Sequence, residues 1–144
     1  MEKILIVDDE DVLCELYSAE LSSEGYEVIT TCDAAGLMEL IGQHRPDLIV
    51  LDIRMGEYDG LDILQDIRNT YYNKPVVLCT AYSSFKSDLR SIAADHYVVK
   101  SADLTELKIK INMALESNVS LLKEKRMKKI GRQGNDEVQK IGCG

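Results

Sequence analysis

What the sequence lacks narrows its function first. No apolar run approaches the roughly 18 residues of a membrane span, so membrane contact is not expected. The N-terminus, Met1-Glu2-Lys3-Ile4-Leu5-Ile6-Val7, lacks the basic region, apolar region and cleavage site of a signal peptide. A cytoplasmic location is expected. Cysteines are few, and Cys14, Cys32, Cys79 and Cys143 show no metal-ligand spacing. The first three sit within apolar patterns, which predicts buried free thiols in a reducing compartment. Positive charge is scarce in the body of the chain. Residues 1–116 carry 10 Lys/Arg against 22 Asp/Glu, a net of −12, and residues 117–144 carry 7 against 3, a net of +4. So acidic a body excludes nucleic-acid binding through its general field.

What is present is a regular alternation of strand and helix signals in 144 residues, 45% of them hydrophobic, enough for one domain with a real core. Lys3 to Val7 reads as a strand, and Val12, Leu13, Leu16, Tyr17 and Leu21 recur at helical spacing up to Gly25. Tyr26 to Thr31 reads as the second strand, and Asp33 is a candidate N-cap for a helix carrying Leu37, Leu40 and Ile41. After the breaker Arg45-Pro46 comes a third strand, residues 47–51. A third helix carries Leu61, Ile63, Leu64 and Ile67. After Asn73-Lys74-Pro75, the fourth strand is Val76 to Cys79. A fourth helix is expected from about Ser83 to Ala93, thin in apolar residues and rich in serine. Tyr97 to Val99 is the fifth strand, and a fifth helix begins near Asp103. There is no internal repeat beyond this alternation. The pattern predicts a doubly wound α/β fold: a five-stranded parallel sheet in the flavodoxin-like order 2-1-3-4-5, with helices on both faces. The domain is expected to occupy residues 1–118. Residues 119–144 are expected to form a helical extension to about Ile130 and a basic, partly disordered tail.

In this topology the crevice lies at the carboxyl ends of strands 1 and 3. It gathers Asp8 and Asp9 from one strand and Asp52 from the other. Two unit charges about 4 Å apart repel by roughly 4 kcal/mol at an effective dielectric of 20. A divalent cation would remove that cost, and oxygen-only ligands favour Mg²⁺, with Mn²⁺ or Ca²⁺ as alternatives. Alternatively, Asp8-Asp9-Glu10-Asp11 serves only the positive end of the first helix; spacing alone leaves both readings open. Thr80 and Lys100 end strands four and five on the same edge. A lysine counters phosphoryl charge and a hydroxyl donates to it.

Ile6-Val7-Asp8-Asp9-Glu10, Leu48-Ile49-Val50-Leu51-Asp52-Ile53-Arg54-Met55, Asp59-Gly60, Thr80-Ala81 and Val98-Val99-Lys100 fall in order at these strand ends. Over about residues 2–118 the chain resembles the receiver domain of two-component response regulators. The resemblance implies a phosphorelay switch in which Asp52 accepts a phosphoryl group from a phosphohistidine on a histidine kinase or phosphotransfer protein. It implies Mg²⁺ held by Asp9, Asp52 and the backbone carbonyl of Arg54, with Asp8 acting through water or orienting the site. Thr80 and Lys100 would contact the phosphoryl oxygens, and Tyr97 would be the aromatic switch. Arg54 and Tyr82 would lie over the path of the attacking water and tune dephosphorylation. Two positions depart from the family: Ser101 and Gly56 stand where proline is usual. A trans Lys100–Ser101 bond is expected, since a cis bond before a non-proline residue costs about 2.5–4 kcal/mol.

A stand-alone regulator is expected, whose output is contact with a downstream protein target, with homodimerisation on phosphorylation as a further option. Such a switch has no turned-over external substrate. The alternative is a receiver fragment of a larger regulator with a missing output domain. A Mg²⁺-dependent phosphatase on a similar fold is the rival enzyme. It would need a substrate pocket and a general acid, and neither His44 nor His96 falls at a strand end beside Asp52. A flavodoxin-like cofactor binder would need a phosphate-cradling loop where this chain has acidic residues.

Overall fold

The computed structural model of the protein describes residues 1–117. Strands β1 (Lys3–Val7), β2 (Glu27–Thr31), β3 (Leu48–Leu51), β4 (Val76–Thr80) and β5 (His96–Val99) form one sheet in the order β2-β1-β3-β4-β5. Every neighbouring pair is parallel. Helices are α1 (Asp11–Ser23), α2 (Leu37–His44), α3 (Gly60–Thr70) and α4, helical over 105–117. A separate antiparallel ladder pairs Arg54–Met55 with Tyr58–Asp59, between β3 and α3.

The central strands are apolar on both faces because both faces are covered. Successive side chains point to opposite sides of the sheet. Ile4 and Ile6 of β1 and Leu48 and Val50 of β3 therefore meet Cys14, Tyr17 and Leu21 of α1 and Leu107 and Ile111 of α4. Leu5, Val7, Ile49 and Leu51 meet Leu37 and Ile41 of α2 and Leu61, Leu64 and Ile67 of α3. Each such burial is worth about 1.5–3 kcal/mol. Helix α1 ends as expected: Gly25 adopts φ +96°, and its N–H donates to the carbonyl of Ser22. Asp103 opens α4 by accepting from the Thr105 N–H at 2.9 Å. Lys108 ties α4 to Glu20 and Glu24 of α1.

Four local expectations are corrected. No α-helix forms over residues 83–93. Two 3₁₀ segments, Ser84–Ser87 and Leu89–Ala93, occupy that stretch. Leu89 and Ile92 are 81% and 76% exposed, so packing does not support a longer helix. Local bonds compete with the helical ladder: Ser91 Oγ donates to the Phe85 carbonyl and Asp88 accepts from the Arg90 N–H. Asp33 does not cap α2; it accepts from Ala35, and the helix starts beyond Gly36 at φ +73°. The expected burial holds for Cys14 and Cys79, whereas Cys32, past the end of the outer strand β2, is exposed. Residue 26 precedes β2 rather than opening it. No cis peptide bond occurs among the described residues, in keeping with a trans Lys100–Ser101 bond. The expected helix extension, the tail and Cys143 lie outside the described residues.

Candidate functional site

Backbone bonds to neighbouring strands fix the residues at the carboxyl edge. The Asp8 N–H donates to the carbonyl of Thr31 at 3.1 Å, that of Asp52 to Val7 at 3.0 Å, and that of Lys100 to Thr80 at 2.7 Å. The parallel ladder thus runs one residue past each strand and delivers its side chains to a common crevice.

Asp8, Asp9, Glu10 and Asp52 each bring an oxygen to within 4.8 Å of the others. Asp8 and Asp52 are buried; Asp9 and Glu10 are exposed. Lys100 Nζ lies 2.8 Å from Asp8 Oδ2, 3.1 Å from Glu10 Oε1 and 3.1 Å from Asp52 Oδ2. One cation thus meets three of the four carboxylates. Burial alone would pull the ammonium down. Its bond to Asp8, the charge of Asp52 and its bond to Glu10 outweigh that and hold it above the usual lysine range. Burial pushes the Asp52 carboxyl up, and Lys100, shared among three acids, restores only part of the loss. Asp8 adds repulsion, and a bond from the Arg54 N–H at 3.4 Å opposes it.

The loop after β3 is built around Asp52. A Cβ on Gly60 would sit 2.2 Å from the Asp52 carbonyl oxygen and 2.6 Å from Ile53 Cα, so only glycine fits. Its predecessor Asp59 caps α3, accepting from the Leu61 N–H at 2.9 Å. The Asp59-Gly60 pair thus starts the helix and packs it on the backbone that carries Asp52.

Thr80 is fully buried, next to Asp52 in strand order, and its Oγ1 accepts from the Tyr82 N–H. Tyr97 is part-buried in β5; its hydroxyl donates to the carbonyl of Tyr82. The Arg54 guanidinium lies 5.3 Å from the Tyr82 ring and 5.5 Å from that of Phe85. The two rings meet edge to face at 6.1 Å. Arg54 and Tyr82, expected from the sequence to share one role, form one cluster. His44 ends α2, and His96 opens β5 at the opposite end from Lys100.

Several contacts had no sequence assignment. Glu10 partners Lys100. Phe85 joins the Arg54–Tyr82 cluster, a contact that its spacing of three from Tyr82 hints at. Arg90 bonds Asp59, Asp62 and Asp88, tying the second 3₁₀ segment to α3. The N–H of Gly56 donates to Asp9.

A family model described as the response regulator receiver domain matches residues 4–112. The regulatory protein AtoC of Escherichia coli is 34% identical over 118 residues, covering 81% of this chain and 26% of AtoC. The response regulator MprA of a Mycobacterium species is 35% identical over 107 residues, covering 73% of this chain and 46% of MprA. The chain thus spans less than half the length of these two relatives. Among solved structures, the response regulator TrrA of Thermotoga maritima, in complex with Mg²⁺-BeF, is 41% identical with a TM-score of 0.76. The match covers 79% of this chain and 99% of TrrA. TrrA has also been solved with the histidine kinase ThkA, and that match has a TM-score of 0.75 over 80% of this chain. The chain belongs to the family of response regulator receiver domains.

Proposed function

We propose that this receiver domain is a phosphorylation-operated switch whose phosphoacceptor is Asp52. One observation carries the proposal: the Asp52 carboxylate meets Lys100 at 3.1 Å inside a cluster of four carboxylates. An Asp52 oxygen attacks the phosphorus of a phosphohistidine. A P–O bond forms as the P–N bond breaks, and the imidazole leaves with the bonding pair and takes up a proton. Lys100 supplies positive charge and Thr80 a hydroxyl to the transferred oxygens, in a reaction that depends on positioning and charge neutralisation. Tyr97, hydrogen-bonded to the loop after β4, reports the change. Arg54 and Tyr82 screen the acyl phosphate from water.

The donor set fits a small hard cation: it is all oxygen and carries more negative charge than Lys100 offsets. Asp8, Asp9, Asp52 and the Arg54 carbonyl would hold Mg²⁺. Bound there, Mg²⁺ supplies the remaining neutralisation of phosphoryl charge.

The phosphodonor is a histidine kinase or phosphotransfer protein, in line with the solved pairing of TrrA and ThkA. Output is contact with a downstream protein, with homodimerisation on phosphorylation as a further route. No nucleic acid binds through this domain. No helix among the described residues is long and apolar enough to cross a membrane. The proposed place of action is the cytoplasm. We take residues 1–118 as the receiver and 119–144 as an extension. As a stand-alone regulator it would resemble TrrA, whose solved chain the match covers to 99%. A receiver from a larger regulator is favoured by the greater length of AtoC and MprA. Reductive trapping of the acyl phosphate followed by peptide mapping tests the acceptor. Homoserine at position 52 supports it, and trapping at another aspartate refutes it.

A further inference from the structure

We infer that the backbone N–H of Gly56 is a positioning donor for Asp9, resting on the cation-dependent reading above. Lys100 meets Asp8, Glu10 and Asp52. Asp9 stands apart from it. Its hydrogen bond comes from Gly56, whose N–H donates to Oδ2 at 3.1 Å across 47 residues of sequence. Asp9 is exposed, so packing does not hold its side chain in one orientation. Gly56 N–H thus does for Asp9 what Lys100 does for the other three: it gives the carboxylate a fixed partner.

The donor depends on glycine through the backbone angle. Gly56 and Glu57 form the two-residue loop between the paired Met55 and Tyr58. Gly56 has φ +55°, and no heavy atom lies within 4 Å of where its Cβ would stand. Conformation, not space, therefore selects this residue. A first loop position at positive φ suits a type II′ hairpin turn. Proline, usual here in the family that this chain resembles, has φ near −65° and no N–H. It supplies neither the turn nor the donor. The departure at position 56 is thus a gain of a hydrogen bond to a candidate cation ligand. Partners of this kind orient ligands, and their loss costs about 10–100-fold in metal affinity.

The test uses the full chain with Mn²⁺ alone as the probe, free Mn²⁺ being counted by electron paramagnetic resonance. Gly56→Pro removes the donor, whereas Gly56→Asn keeps the N–H and tolerates positive φ. We expect Gly56→Pro to weaken Mn²⁺ binding by about tenfold or more, and Gly56→Asn to bind like wild type. A second readout needs no metal. The Gly56 amide proton should be downfield in wild type and move upfield in Asp9→Ala. Unchanged affinity in Gly56→Pro overturns the inference, as does an equal loss in Gly56→Asn or an amide signal indifferent to Asp9. Should Gly56→Pro fail to fold, the amide signal decides alone. A wild type that leaves all Mn²⁺ free overturns the cation site of the proposed function instead, a result distinct from any ranking of the Gly56 variants.

Discussion

The Lys100 ammonium lies nearer to Asp8, at 2.8 Å, than to Asp52, at 3.1 Å. Lys100 therefore holds these carboxylates together and is not dedicated to Asp52. Its side chain is only 9% exposed. Removing one partner of a buried ion pair leaves an uncompensated charge. Lys100→Met should lower metal-free stability by about 3 kcal/mol. Urea melts at neutral pH check this, and a variant as stable as wild type would show that the carboxylates do not need the lysine.

Burial raises the Asp52 carboxyl above its usual range, so the folded state binds that proton more tightly than the unfolded chain. The sign follows from linkage. The Asp52 contribution is fully present below the unfolded value and is lost as pH rises through the raised folded one. Without metal, Asp52→Asn should therefore be more stable than wild type at pH 7.5. The difference should close as pH falls through the acidic range. Thermal melts of both proteins in chelator at several pH values measure it; a gap that widens toward acid pH would reverse the assignment.

Arg54 and Tyr82 should lengthen the life of the acyl phosphate. Their stacking is worth about 0.5–1 kcal/mol at an exposed site, so its loss translates into a severalfold effect. Arg54→Ala and Tyr82→Ala should each shorten the phosphoryl half-life severalfold, and the double variant little further, because the two side chains act as one cluster. Phosphate release from the purified acyl phosphate reads this directly. Equal half-lives in all the proteins would remove the shielding role.

Gly60→Ala should affect stability and site together. The added methyl would lie 2.2 Å from the Asp52 carbonyl oxygen, and both partners there are backbone. Overpacking of this kind costs about 1–3 kcal/mol. The start of α3 must then move away from the loop carrying Asp52. We expect a lower melting temperature and slower phosphorylation. Loss of stability with an unchanged phosphorylation rate would confine Gly60 to a packing role.

The sheet was legible because residues 4–7 and 48–51 are continuous apolar runs, as expected of strands covered on both faces. Asp8, Asp52, Thr80 and Lys100 were legible because each ends or follows a strand on the same edge. The stretch after β4 was not. Phe85, Leu89 and Ile92 suggest a helical stripe, but serine hydroxyls and the Asp88 cap draw the backbone into 3₁₀ turns, and two of the three apolar side chains stay in solvent. Cys32 was misplaced because the apolar pattern around it runs past the end of an outer strand. The Gly56–Asp9 bond spans 47 residues and is made by a backbone atom, so no side-chain pattern announces it.

On the proposed function, Asp52 accepts a phosphoryl group with help from a divalent cation. Intact-mass analysis after incubation with acetyl phosphate and Mg²⁺ tests it most directly, with wild type, Asp52→Asn and wild type in excess chelator run side by side. A single phosphoryl adduct is expected on wild type with Mg²⁺ and none in the other two samples. Full labelling of Asp52→Asn, or of wild type in chelator, would contradict it.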